Sequence, residues 1–190
     1  MRKLLLTIFI AALSCSLFAQ AVPSKLTKGI NVVKDDFTGE TTYESPASLV
    51  KVVQRSDSTE LQIFLSCVAY DTPTSLEKIL VLANGETITF DDVEQFKLRE
   101  TPERYMSKAA SGTFGTSSYR GAEFSTRNKY TESLTVTGDK ALSLARSFST
   151  TGGKIRYQGQ NQTIDYEIPS KVIKESAKVL AIYDYITNEL

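Results

Sequence analysis

Residues 76–90 have the sequence LEKILVLANGETITF, in which Asn84-Gly85 separates an apolar run from an alternating one. Asn-Gly between two such runs is the strongest short-range signal of a β-hairpin, because both turn residues tolerate positive φ. We therefore predict a tight antiparallel hairpin at this point of the chain. A hairpin in the middle of the sequence indicates that the sheet around it is largely antiparallel.

Further strands are predicted on both sides of this hairpin. Upstream, residues 29–35 and 49–55 have the composition of strands, and residues 60–70 are apolar on both faces, as in a central strand. Downstream, residues 154–157 and 163–168 alternate strictly between apolar and polar side chains around a short polar turn. This alternation predicts a second hairpin with one buried face.

Two helices are expected to complete the fold. Thr137-Gly138-Asp139 opens a short helix over Lys140–Ser147, and Pro169-Ser170 starts a C-terminal helix. The C-terminal helix is amphipathic, with an apolar stripe that repeats at close to 3.6 residues. The predicted fold class is α+β: an antiparallel β-sheet in two hairpin-rich halves, covered by the short helix and the C-terminal helix. One domain is expected over residues 22–190.

The middle of the chain is less regular. Residues 91–106 fit either a strand or a short helix. Residues 107–121 are rich in Ser, Gly, Ala and Thr and show no apolar period, which predicts a loop. A loop of this length is usually functional or mobile.

The first 21 residues have the order of a secretory signal peptide: a basic start, an apolar run and small residues at the end. Cleavage is expected after Ala19 or Ala21. A lipid anchor at Cys15 and an uncleaved membrane anchor are the less favoured alternatives. The predicted location is therefore periplasmic or secreted.

Composition limits the function classes. The chain has 22 basic and 22 acidic residues, and the predicted signal peptide removes two basic residues and no acidic one. A scattered, balanced charge argues against nucleic acid as the main partner. The chain contains no histidine, so it lacks the commonest general base and metal ligand. We expect no cofactor and no metal.

Two features of the sequence bear on catalysis and on cation binding. Cys67 is the single thiol after the signal peptide; it has no histidine to activate it and is expected to be a small buried apolar residue. Asp91 and Asp92, with Glu94, could bind a cation or serve as the carboxylates of a hydrolase. A solvated turn or helix start is the favoured interpretation of this acidic group.

The candidate binding residues lie in the irregular middle of the chain, where arginine and tyrosine occur together. Such a mixture suits recognition of anions, sugars or a partner surface, although scattered surface charge is the simpler interpretation. The candidates are Arg99, Arg104, Tyr105, Tyr119, Arg120, Arg127 and Tyr130.

The order of these features also carries a resemblance. It consists of a signal peptide that ends in Phe18-Ala19-Gln20, the segment Lys34–Gly39, the hairpin segment Leu80–Glu86, and Lys154–Tyr157 before a terminal helix. This pattern resembles small secreted proteins of unknown function that are common in Bacteroidetes-like bacteria. The resemblance implies export and architecture and supplies no site residues; residues 107–121 fit it less well.

Three functions remain open on the sequence. The favoured one is an exported, non-catalytic binding or interaction module of the bacterial envelope. The alternatives are a carrier of a small lipid or sugar, held between the sheet and the terminal helix, and a hydrolase built on carboxylates such as Asp91 and Asp92.

Overall fold

The computed structural model describes residues 22–114 and 117–188, without the side chains of residues 108–120. The predicted signal peptide, with Cys15, lies outside the described residues. A short 3-10 helix, Val93–Gln95, precedes the seventh strand. The strands are β1 (Asn31–Lys34), β2 (Thr41–Glu44), β3 (Val50–Gln54), β4 (Thr59–Tyr70), β5 (Leu76–Ala83), β6 (Glu86–Phe90), β7 (Lys97–Phe114), β8 (Ser117–Val136), β9 (Lys154–Gly159) and β10 (Thr163–Glu167), and the helices are α1 (Gly138–Thr150) and α2 (Ser170–Asn188).

The described chain is mostly antiparallel β-structure with two helices, an α+β arrangement. One sheet has six strands in the order β1-β2-β3-β4-β8-β7, and the other has four in the order β10-β9-β5-β6. Every pairing in both sheets is antiparallel. Each sheet takes strands from both halves of the sequence, because β7 and β8 return to the first sheet and β9 and β10 join the second.

Both predicted hairpins are confirmed. Asn84 and Gly85 form the turn between β5 and β6 with φ angles of 52° and 81°, the left-handed conformation that the Asn-Gly signal implies. β9 and β10 pair from Lys154 and Glu167 to Gln158 and Thr163. The strand predicted over residues 60–70 is β4, which lies between β3 and β8 in the larger sheet.

The core lies where α1 and α2 contact each other and the two sheets. α1 contacts β4 and β5, and α2 contacts β2, β3 and β4. Phe148 of α1, Ile182 of α2 and Ile63 of β4 are completely buried in this cluster. The short helix is longer than predicted, and the C-terminal helix begins at Ser170 as expected. Within the residues described, no helix combines the length and hydropathy needed to cross a membrane.

The loop predicted over residues 107–121 is wrong. β7 continues to Phe114 and β8 begins at Ser117. Most of the predicted loop therefore lies in the two strands at the far end of a long hairpin. The two strands of this segment pair along their backbones, and the segment has none of the apolar alternation by which a half-buried strand is recognised in a sequence. The ambiguous segment before it divides into the 3-10 helix at Val93 and the start of β7 at Lys97.

The connection between the two sheets is fixed by a buried carboxylate. Glu132 of β8 is 5% exposed, and its two carboxylate oxygens accept the backbone N–H groups of Ser75 and Leu76 at 2.9 and 2.7 Å. Gly159 packs against the other side of this connection, where an added Cβ would overlap the carbonyl oxygens of Thr74 and Ser75. The start of β5 is thus held from both sides.

Candidate functional site

The long hairpin of β7 and β8 extends well beyond the sheet that supports it. β8 pairs with β4 only over Lys129–Val136, opposite Ile63–Tyr70. We call the remainder, residues 102–114 and 117–128, the arm. In the described part of the chain the strands of the arm pair only with each other, and Asp71 N–H bonds to the carbonyl of Asn128 at its base. A ribbon of two strands is marginally stable alone in water.

The structure places all seven candidate residues on this hairpin, but it divides five of them between its two faces. The pairing of Glu103 with Arg127 and of Arg104 with Thr126 defines these faces. Arg99, Tyr105 and Arg127 belong to the outer face of the larger sheet, and Arg104 and Tyr130 belong to the face that continues the core side. Tyr119 and Arg120 pair with Gly112 and Ser111, and their side chains lie outside the described part.

A cluster around Arg127 marks the base of the arm on the outer face. The Arg127 guanidinium lies 3.6 Å from the centroid of the Tyr70 ring and 4.7 Å from that of Tyr105. Its Nε and Nη2 donate to the Oε2 of Glu103 at 3.1 and 3.0 Å. Stacked cations of this kind contribute about 0.5–1 kcal/mol each at exposed sites. The cluster combines the residue types that dominate binding energy at protein interfaces.

Tyr70 and Glu103 were missed from the sequence. The alternation along β4 is the signal that could have indicated Tyr70, because it places Tyr70 on the opposite face from Cys67. Glu103 could only be found from the register of β7 against β8, which the predicted loop concealed.

The core-side face of the arm has its own exposed set. Arg104 lies 4.5 Å from the centroid of the Phe124 ring, and the hydroxyl of Tyr130 donates to Oε1 of Glu100 at 3.3 Å. Met106 is 56% exposed and Phe124 is 51% exposed. The core-side face of the arm therefore presents apolar and charged groups to solvent, and the outer face presents the partly exposed cluster around Arg127.

Charge is concentrated on the same hairpin. Residues 97–129 contain seven basic and three acidic residues, whereas the whole chain has equal numbers of each. The scattered charge seen along the sequence thus becomes a basic excess on this hairpin, and the arm itself holds four of the basic residues and two of the acidic ones.

The acidic residues considered for catalysis lie elsewhere. Asp91, Asp92 and Lys140 line a cavity of about 250 Å³ beside the start of α1, between the ends of β6 and β8. No residue of the C-terminal helix, which was expected to enclose a ligand against the sheet, is among the described residues that line it. The Asp92 carboxylate caps the 3-10 helix by accepting a hydrogen bond from Glu94 N–H, and it accepts a second one from the side-chain amide of Gln95. Among the described residues, no group of three or more Asp, Glu, Cys or His side chains is placed to hold a metal.

Cys67 is buried, as predicted. Its Sγ lies 3.8 Å from Oγ1 of Thr74. Burial raises the pKa of the Cys67 thiol, and the negative charge of Glu132 adds to the effect. Burial also raises the pKa of the neighbouring Tyr157 phenol. Both groups are neutral at physiological pH, which suits packing and opposes nucleophilic chemistry.

No family model matches this chain, and comparisons with curated proteins and with solved structures gave no match. The geometry of the arm and its charges are therefore the observations that bear on function.

Proposed function

We propose that this chain is an exported, non-catalytic interaction module of the bacterial envelope, and that the arm is its binding element. The observation that carries the proposal is the arm itself, a projecting two-stranded ribbon with exposed Arg104, Met106 and Phe124 on one face and partly exposed Tyr105 and Arg127 on the other. Exposed apolar surface rimmed by charge is typical of interaction sites. A partner surface would supply the packing that the arm lacks.

The partner that fits this element is a protein with an acidic surface. Arginine and tyrosine are enriched at protein interfaces, and the basic excess of residues 97–129 favours an acidic counterpart. Nucleic acid is left out of the proposal because the predicted export signal directs the chain to the envelope. The proposed role needs neither cofactor nor metal.

The rest of the molecule acts as a base for the arm in this proposal. We infer that α1 and α2 cover the core side of the larger sheet, which their contacts with β2, β3 and β4 support. The resemblance to small secreted Bacteroidetes-like proteins is consistent with a module of this kind.

The test is a variant without the outer arm. Replacing residues 104–126 with Asn-Gly leaves Glu103 and Arg127 facing each other across a two-residue turn, the commonest hairpin connection. The variant should fold, because none of the buried core residues that the structure describes is removed. Circular dichroism and thermal unfolding check this point.

Binding is then measured by photocrosslinking in the native envelope, with the photoreactive residue at Met106. Leu82, which is exposed on the smaller sheet, is the control position. We expect a protein adduct from position 106 and none from position 82. Excess purified full-length chain should compete for the adduct, and the arm-truncated variant should not. Equal adducts from both positions, equal competition, or a measured catalytic turnover would contradict the proposal.

A further inference from the structure

We propose that copies of this chain associate head to tail by pairing β1 of one copy with β7 of the next. Within the part of the chain that the structure describes, β1 and β7 are the two edges of the six-stranded sheet, so each presents backbone groups on its outer side that no other described strand pairs. Six antiparallel strands leave these two edges running in opposite directions. A second copy in the same orientation, placed beside the β7 edge, therefore presents its β1 antiparallel to β7. Every strand pair in the extended sheet is then antiparallel.

The backbone groups at the two edges point the correct way for this pairing. The N–H of Asp35 bonds to Glu40 on the β2 side, so Val32 and Lys34 direct their N–H and C=O groups outward. At the other edge, the carbonyl of Asn128 accepts from Asp71 on the β4 side. Its partner Pro102 consequently faces outward, as a residue without an N–H must, and Glu100 faces outward with it.

One register of this pairing also places side chains of opposite charge across from each other. When Lys34 lies opposite Glu100, Asp35 lies opposite Arg99, and both pairs join opposite charges. Side-chain faces agree as well: Lys34 and Glu100 both belong to the core side, whereas Asp35 and Arg99 both belong to the outer side. Opposite charges directly across two strands stabilise the pairing. Within the described residues, none of Lys34, Arg99 and Glu100 takes part in an ion pair.

Both edges expose apolar side chains that such an association would cover. Val32 and Val33 of β1 are about half exposed, and Leu98 of β7 is 59% exposed. Phe37 is fully exposed on the turn after β1, where the Asp35 carboxylate accepts the N–H groups of Phe37 and Thr38. These side chains lie at the edges that the proposal joins.

The interface is short, so the association is expected to be weak. β1 has four residues, and Pro102 opposite Val32 accepts a hydrogen bond without returning one. A contact of this size lies at the low end of specific interfaces, so the association should be reversible and concentration-dependent. A head-to-tail contact that does not close on itself gives open chains of copies.

The first test is a charge exchange, measured by sedimentation velocity over a concentration series. Lys34→Glu and Glu100→Lys should each weaken self-association by about tenfold or more, because each places like charges opposite one another. The double variant should restore association, and so should an equimolar mixture of the two single variants. Lys171→Glu, on the exposed side of α2, is the control with the same charge change. A wild-type chain that stays monomeric, or single variants that associate like wild type, would overturn the proposal.

The second test fixes the register by disulfide formation. Val33 and Thr101 lie opposite each other in this register as a pair that is not hydrogen-bonded, the closer geometry for side chains. Within one copy these residues lie on the two opposite edge strands, five strand spacings or about 24 Å apart across the sheet and further apart along the strands, so a disulfide between them must join two copies. Val33→Cys with Thr101→Cys should give a ladder of linked chains on oxidation. Val33→Cys with Leu98→Cys should not, because Leu98 belongs to the other face; equal cross-linking of both pairs would overturn the proposal.

This association does not depend on the proposed binding function. It uses β1 and the first residues of β7, all of which the arm-truncated variant retains. That variant should therefore still self-associate and should no longer bind the partner. Loss of self-association would count against the edge pairing alone, and retained partner binding would count against the proposed function alone.

Discussion

The guanidinium of Arg127 lies 3.6 Å from the centroid of the Tyr70 ring, at the point where the arm leaves the sheet. Tyr70 is the last residue of β4, and Arg127 is on β8 just beyond the last pair between these strands. The stacked pair therefore ties the arm to the sheet past the end of the backbone pairing. It also connects β4 to β7, since Glu103 and Tyr105 contact the same arginine.

Replacing Arg127 with alanine should loosen the arm without unfolding the base. The substitution removes two ring contacts and an ion pair that is partly exposed, so we expect faster hydrogen exchange at the amides of Glu103 and Tyr105 and a small change in the free energy of unfolding. Arg127→Lys keeps the charge and loses the planar stacking, so it should give an intermediate effect. Exchange rates at the base of the arm that match wild type in both variants would rule out this role.

The hairpins could be predicted because their signals are local. Asn84-Gly85 specifies a turn whatever the rest of the chain does, and strict alternation specifies one buried face over residues 154–168. The strand at residues 60–70 was also recognised, since its central position requires a long apolar sequence.

The arm could not be predicted because its sequence lacks a strand pattern. Apolar alternation reports burial, and the strands that include residues 107–114 and 117–121 show no such alternation in the sequence. The same error hid the site, because Arg127 meets Glu103 and Tyr70 only through the register of β7, β8 and β4. The sequence does not distinguish Arg104 from Arg127. In the structure Arg127 pairs with Glu103, the neighbour of Arg104, so the two arginines lie on opposite faces of the hairpin.

Glu132→Gln should destabilise the fold. The Glu132 carboxylate accepts two neighbouring N–H groups at the start of β5, whereas a glutamine offers one acceptor and turns its NH₂ group toward the other N–H. A buried donor left without an acceptor costs about 1–3 kcal/mol. Denaturant unfolding measures the loss. Glu77→Gln, an exposed change of the same kind on β5, should lie within about 0.5 kcal/mol of wild type. Equal stabilities of the two variants would contradict the bridging role of Glu132.

Gly159→Ala should also destabilise the fold, and for a steric reason. The added methyl group would overlap the backbone carbonyls of Thr74 and Ser75, and neither is the end of a flexible side chain. Overpacking of this kind typically costs about 1–3 kcal/mol. Gly121→Ala is the matched control, because its Cβ would meet open space. The prediction fails if thermal unfolding gives the two variants the same midpoint.

Cys67 should resist thiol reagents in the folded protein. Burial raises the pKa of the thiol and keeps reagents from reaching it, and the thiolate is the reactive form. We expect negligible reaction with a disulfide reagent in native buffer and complete reaction in denaturant. Val33→Cys provides an exposed comparison on β1, where reaction should be fast in the native state. Comparable native rates at the two positions would show that Cys67 is accessible.

The ion pair between Asp165 and Arg156 should give a small, pH-dependent contribution to stability. Nε and Nη2 of Arg156 donate to the two carboxylate oxygens of Asp165 at 2.6 and 2.8 Å, and these hydrogen bonds lower the pKa of Asp165. Because the pKa is lower in the folded state, the contribution is present above the unfolded value of about 3.9 and is lost as the pH falls through the folded value. The size is small because both side chains are more than half exposed. Denaturant unfolding at a series of pH values should show wild type slightly more stable than Asp165→Asn at neutral pH, with the difference shrinking toward zero in acid. A difference that stays constant or grows in acid would mean that the carboxylate is not what stabilises the β9–β10 hairpin.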